Sequence, residues 1–276
     1  MLSACAQSPS TQNAAVMGNL LLAEPAPASA RSQMAIARYN HILSQAELKP
    51  EETAELLFQR GTLYDSVGLP GLARYDYTQA LKLKPNLAEA YNSIGIHYTQ
   101  GLEFTRAYEA FDSTLDIKPD YNFALLNRAI ALYYGDRAKL ALDDIDQFYS
   151  LDTDDPYRIL WYYIIQKEVD QDAAQGFLRA VLKQVNKQHW AFSLVEYYLG
   201  DISEAEVVAR LLVDVKSQNE LNNRLCEAYF YLGKYQRAQG NQSKAANYFK
   251  LALSTNVFEY VEHRYARLEL ELLRRS

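Results

Sequence analysis

Glycine, proline and cysteine are all scarce in this chain of 276 residues, at 11, 8 and 2, and each shortage closes off a class of fold. Average usage would supply about 19 glycines and about 14 prolines, so a turn-rich β fold, which needs both at its reversals, is disfavoured. Cys5 and Cys226 stand almost a chain length apart, too few and too distant for a disulfide framework or a Cys-x-x-Cys site. No uninterrupted run of 18 apolar residues occurs, so no transmembrane helix is expected. Cations are not clustered, and the net charge is −6, which argues against a nucleic-acid surface. The pair Arg274 and Arg275 suits the last turn of a helix, where cations favour the macrodipole.

Catalytic signatures are missing too. There is no phosphate loop, no G-x-S-x-G elbow and no H-E-x-x-H helix. His41, His97, His189 and His263 are too scattered to form a ligand set. Six aspartates fall between Asp143 and Asp155, and Asp152 and Asp154 are spaced as in a calcium loop. Pro156 occupies the next ligand position and the required glycine is absent, so helix ends and a cap account for them better. The expectation is a non-enzyme with no metal and no cofactor.

What the chain has in abundance is tyrosine, 22 in all, and a period. Gly61 and Gly95 lie 34 residues apart, and the same step carries Tyr64 to Tyr98, Ala73 to Ala107, Tyr77 to Phe111 and Pro85 to Pro119. A third copy keeps Ala129, Leu132, Ala141 and Ile145 but has Thr153 for the proline. A separate late copy places Gly233, Gly240, Ala245, Phe249 and Ala252 at equivalent offsets. This pattern resembles the tetratricopeptide repeat, two antiparallel helices per unit. The glycines then sit where the helices cross, the alanines allow close approach, and Tyr64, Tyr98, Tyr77 and Phe111 wedge between units. Pro85 and Pro119 end second helices, and Asn86 with Glu89 reads as a capping box. Repeats are expected at about 54–87, 88–121, 122–155 and 226–259.

From Asp155 to about Asp214 the chain stays helical by pattern but loses the repeat. Asp155-Pro156 is a helix start, the Trp161 to Ile165 run is apolar on nearly all sides, Gly200 ends a second buried helix, and Ser203 with Glu206 caps the next. The expected architecture is an all-α tetratricopeptide-repeat solenoid with divergent central helical pairs. Terminal capping helices are expected at 31–48 and at Tyr260 to Leu273, covering the open ends.

The working surface of such a solenoid is its concave face, lined by first helices at the second, fifth, ninth and twelfth positions of each unit. Those positions hold Glu55, Phe58, Thr62 and Asp65, then Glu89, Asn92, Ile96 and Thr99, then Phe123, Leu126, Ile130 and Tyr133. Mixed and partly apolar, this set suits an extended or helical protein segment. Lys234 and Arg237 are the only cations at the clamp positions, which argues against a carboxylate clamp.

At the N-terminus, Leu2-Ser3-Ala4-Cys5 resembles a bacterial lipobox, with Cys5 as the lipidated residue. Only four residues precede it, so the chain reads as starting within a signal peptide, and Ala6 to Ala30 reads as a flexible tether. Four further runs, Arg60 to Ser66, Ala107 to Ser113, Asn127 to Gly135 and Val261 to Ala266, are similar to the NlpI family of outer-membrane lipoproteins. That resemblance implies a lipid-anchored homodimer at the outer membrane, facing the periplasm, whose only membrane attachment is the anchor. It would dock peptidoglycan hydrolases and present a murein endopeptidase to a tail-specific periplasmic protease. The acidic tail expected of the family is missing after Ser276. A generic cytosolic repeat co-chaperone is the alternative.

Overall fold

The computed structural model describes residues 21–275 other than Ala23 and Asn186, and among them it contains fourteen helices and no strand. The lipidation candidate Cys5 lies outside the described residues. Four helix pairs carry the repeat: α2 (Pro50–Ser66) with α3 (Pro70–Leu83), α4 (Ala88–Gln100) with α5 (Phe104–Ile117), α6 (Asn122–Tyr134) with α7 (Ala138–Ser150), and α12 (Gln218–Ala238) with α13 (Gln242–Ser254). The last first-helix is longer than its repeat, because Ser217 caps it a full two turns before Cys226.

Each pair closes on the same contact. A Cβ built on Gly61, Gly95 or Gly233 would stand 2.6 Å from a ring carbon of Tyr77, Phe111 or Phe249, each 16 residues further on. All three rings are at most 1% exposed. The glycine therefore makes the room that the aromatic fills, and helix crossing is set by this pair. The third repeat makes the complementary choice: Ala129 adds a methyl and Ile145 replaces the ring, both fully buried. One residue earlier at the same offset, Arg60 and Arg128 grip the buried Asp76 and Asp144 through two 2.7 Å hydrogen bonds each, a bidentate fork with fixed geometry. Ala73, Ala107, Ala141 and Ala245 are fully buried where the second helix approaches the first.

Tyr64 and Tyr98 do something other than wedge. Both are only half-buried, with Arg60 over the Tyr64 ring at 5.6 Å and Arg106 over Tyr98 at 4.1 Å, so they hold guanidiniums by cation–π contact. The expected Asn86–Glu89 box is absent as well. Leu87 is the N-cap of α4 with no side-chain cap, and Glu89 is drawn to Lys118 at 3.1 Å instead. The turn between paired helices needs a left-handed residue at one period-related position, filled by Gly68, Leu102 and Asp136 (φ 76, 61 and 58), and by Gly240 (φ 79) in the last repeat.

Two divergent pairs, α8 (Pro156–Val169) with α9 (Gln171–Val181) and α10 (Phe192–Leu199) with α11 (Glu204–Leu211), bridge the third and last repeats. Asp155 accepts from the amides of Tyr157 and Arg158, and Ser203 with Glu206 forms a full capping box. Gly200 is left-handed (φ 80) and stops α10. One apolar core runs without interruption from Leu126 in α6, through Trp161, to Leu270.

The first end is held by its capping helix and by the stretch before it. α1 (Ala30–Gln45) packs on α2 yet buries no residue completely. The stretch before it, read as tether, is tied down where it is described. The Leu21 carbonyl accepts from the Tyr229 hydroxyl, the Glu24 carbonyl from Asn222 at 2.9 Å, and the Ala26 amide donates to the Thr255 carbonyl at 3.0 Å.

The glycine–aromatic rule can be tested by repacking. Gly95→Ala gains helix propensity of about 1 kcal/mol, but its methyl meets a ring with nowhere to go, so a net loss of about 1–3 kcal/mol is expected in urea unfolding. Adding Phe111→Ile rebuilds the Ala129–Ile145 pair. The double variant should recover at least half of the loss.

Candidate partner-binding groove

The first helices of successive repeats present one face, and the last helix lies across it. α14 (Val261–Arg275) touches α4 through the Gln100 side-chain amide, which donates to the Arg264 carbonyl at 3.3 Å. It reaches α6 through Tyr134, whose hydroxyl donates to Glu269 at 2.7 Å, and α8 through Tyr265, centred 6.5 Å from Trp161. It packs chiefly on α13 and α12, covering the last repeat as expected, and from there reaches inward across the first-helix face. Its amphipathic sequence favours this placement: Tyr265, Ala266, Leu268 and Leu270 are buried, with α12 and α13 as the main packing partners and the inner face met at Tyr134 and Trp161.

The twelve sequence-predicted contact residues divide accordingly. Asn92, Ile96, Thr99, Leu126 and Ile130 are buried. Asn92 accepts a hydrogen bond from Asn127 at 3.0 Å, and Leu126 and Ile130 belong to the main core. Tyr133 is caged by Tyr134, Trp161 and the Lys234 ammonium, 4.3 Å from its ring centre. Still reachable are Glu55, Phe58, Thr62, Asp65 and Glu89, all half-buried, and Phe123, 61% exposed.

Reachable side chains line a cleft of about 470 Å³ between the first two repeats, walled by Glu55, Phe58, Leu87, Glu89, Lys84 and Lys118. Glu55 pairs with Lys84, and Glu89 with Lys118 one period later. Lys84 and Lys118 follow the ends of second helices and reach back to the first helix of their own repeat, which is why spacing on first helices alone missed them. The signal was present in the 34-residue step between the two lysines. Asp65 is committed elsewhere: it accepts from the Tyr77 hydroxyl at 2.9 Å and lies 3.1 Å from His97 Nε2.

Lys234 and Arg237 are occupied from within. Lys234 Nζ lies 2.7 Å from Glu269 Oε1 and 2.7 Å from the Tyr133 hydroxyl, and Arg237 pairs with the other Glu269 oxygen. Burial opposes ionisation of Glu269, yet Lys234 and Arg237 outweigh it and hold its carboxyl below the usual carboxylate range. The chain's own C-terminal helix thus supplies the carboxylate for these two cations. Glu269→Gln leaves Lys234 charged and buried without its counter-ion, and should lower unfolding free energy by about 3–5 kcal/mol. Glu271→Gln, whose partners are the exposed Arg274 and Arg275, should leave the midpoint of the same denaturant titration nearly unchanged.

The first turn of α14 carries a second buried ionisable group. Glu262 accepts from Tyr231 at 3.0 Å, and nearby Glu227 on α12 accepts from Tyr157 at 2.7 Å. Burial, then the neighbouring Glu262, pushes Glu227 up to about 8, despite Tyr157 and Arg224, and burial pushes Glu262 up to about 6. His263 goes the other way, down to about 4, through burial and the nearby Arg267 and Arg264, against the Leu253 carbonyl. A carboxyl with a raised folded pKa binds its proton more tightly folded than unfolded, so its protonated form favours folding and stability falls as pH rises through the folded pKa. The histidine acts oppositely and only below about pH 6.5. Stability should therefore fall by about 2 kcal/mol between pH 6.5 and 8. In Glu227→Gln that slope should flatten in thermal melts run across the series.

No protein-family model matches the chain. Among solved structures, it is similar to a tetratricopeptide repeat protein from Parabacteroides merdae, at 18% identity and TM-score 0.50, over 88% of this chain and 98% of that one. It is also similar to YrrB, described as a TPR protein with an unusual peptide-binding site, at 16% identity and TM-score 0.44, over 89% and 100%. A third is PilF of Pseudomonas aeruginosa, at 13% identity and TM-score 0.44, over 86% and 97%. At these identities the likeness concerns the fold: the chain is built as a tetratricopeptide-repeat solenoid.

Proposed function

We propose that this protein is a non-catalytic, protein-binding adaptor of the bacterial cell envelope. The observation that carries the binding role is the open stretch of first-helix face on α2, α4 and the start of α6. There Phe58 offers apolar contact beside the Glu55–Lys84 and Glu89–Lys118 pairs, and the exposed Phe123 follows one period after Glu89. An apolar strip flanked by charges of both signs suits a polypeptide segment whose side chains alternate in character. Charged pairs at the rim select register more than they add affinity.

In this reading Cys5 carries the lipid, the chain faces the periplasm from the outer membrane, and two copies associate. The groove docks peptidoglycan hydrolases and holds a murein endopeptidase for a tail-specific protease. Support comes from the lipobox-like run ending in Cys5 and from the four runs that resemble the lipoprotein family. The family runs fall on structural junctions here: Arg60 to Ser66 carries the Arg60–Asp76 fork and the Gly61 crossing, and Val261 to Ala266 opens α14.

The test joins two measurements on full-length protein with an intact signal sequence. Palmitate labelling should appear in the wild type and vanish in Cys5→Ser; an unlabelled, soluble wild type would support the cytosolic co-chaperone instead. Affinity capture from envelope extract should recover a murein hydrolase and a periplasmic protease. Phe123→Ser, at an exposed site that should not disturb folding, should lower that recovery at least fivefold. Recovery of neither partner by the wild type would refute the adaptor role.

A further inference from the structure

Where the α2–α3 turn meets the C-terminal segment, the solenoid folds back on its own beginning. Gly68, left-handed at φ 76, lies under the Phe258 ring so closely that a Cβ there would stand 2.7 Å from two ring carbons. The cleft so formed, about 290 Å³, is bounded by Asp65, Pro70, Ile96, Phe258 and four nitrogen-bearing side chains of particular interest: Arg74, His263, Arg264 and Arg267. In volume it falls at the small end of ligand pockets.

Its charges are not balanced internally. Asp65 is the only carboxylate among the lining residues, and its Oδ2 already serves both Tyr77 and His97. Arg74 reaches Glu103 at 3.1 Å and stacks on Tyr98 at 4.9 Å. Arg264 spends only its Nε, on the Phe258 carbonyl at 3.2 Å. Among the described residues neither Arg264 nor Arg267 has a carboxylate within ion-pair distance. His263 is buried with Nε2 3.2 Å from the Leu253 carbonyl. On a chain of net charge −6, a cleft with two unpaired guanidiniums over an apolar floor is a local reversal of sign.

We infer that this cleft recognises a carboxylate on an extended segment of the docked partner, with Arg264 and Arg267 holding the oxygens and Pro70 and Phe258 receiving the adjoining side chain. A guanidinium offers paired N–H donors in the spacing of a carboxylate's two oxygens. The apolar floor distinguishes a peptide from a free inorganic anion, which could use the arginines only. The inference rests on the groove being a protein-binding surface. The cleft and the open strip share α2, whose Phe58 faces the strip and whose Asp65 faces the cleft, so one extended segment can meet both.

The probes are three fluorescein-labelled octapeptides of alternating alanine and leucine, read by anisotropy on the full chain. One ends in phenylalanine with a free carboxylate, one is the same peptide amidated, and one is amidated with a single internal glutamate. The free terminus, the glutamate or both should bind at least tenfold tighter than the plain amide, which also tells a chain terminus from an acidic side chain as the source. That preference should shrink at high salt. Arg267→Glu, at an exposed position, should bring all three peptides within twofold of one another. Equal affinities for the wild type, or a preference untouched by Arg267→Glu, would overturn the carboxylate assignment. Amide binding that Phe123→Ser abolishes would still leave the groove reading standing; no binding of any peptide would overturn both.

Discussion

Everything in this molecule depends on how closely two helices can cross within a repeat, and that distance is set by a glycine facing an aromatic ring 16 residues later. The pairs Gly61–Tyr77, Gly95–Phe111 and Gly233–Phe249 have the same 2.6 Å separation from a hypothetical Cβ. A core packed to crystal density does not tolerate a change on one side alone. The Ala129–Ile145 pair shows that the constraint is on summed volume rather than residue identity. With crossing fixed, the first helices of successive repeats line up on one face, and the surface available to partners follows.

That surface is then partly used by the chain itself. α14 is amphipathic; it packs on α12 and α13 of the last repeat and extends over the first-helix face as far as α4. Burying Tyr265 and Leu268 stabilises the last turns of the solenoid, and Thr99, Leu126 and Ile130 of the first helices are buried as well. The cost is a set of ionisable groups in the interior. Glu269 tolerates burial because Lys234, Arg237 and Tyr134 surround it, whereas Glu227 and Glu262 have tyrosines for partners, and burial raises the pKa of both. One helix thus contains both kinds of buried carboxyl.

Periodicity made the repeats legible because identical local packing problems recur every 34 residues and leave identical residues behind. The crossing glycines, the alanines opposite them and the prolines after second helices could all be read directly. The left-handed turn position could not, since Leu102 and Asp136 occupy it where Gly68 and Gly240 do elsewhere. Tertiary packing imposes that conformation on side chains that do not advertise it. The Asn86 box failed for a similar reason: Lys118, from the following helix end, is a stronger partner for Glu89 than an exposed backbone amide.

By itself, then, the sequence determined an all-helical repeat with a defined crossing geometry, since volume complementarity between residues 16 apart is a local matter. It also marked the twelve first-helix positions. Which of these remain open was decided only by the tertiary structure. Placing α14 over the inner face depends on contacts between residues more than 130 apart, such as Tyr134 with Glu269, and no periodic pattern encodes where an amphipathic helix finds its apolar partner. The same long-range closure brings Phe258 over Gly68 and Arg264 beside Gln100, creating a cationic cleft from segments that share no motif.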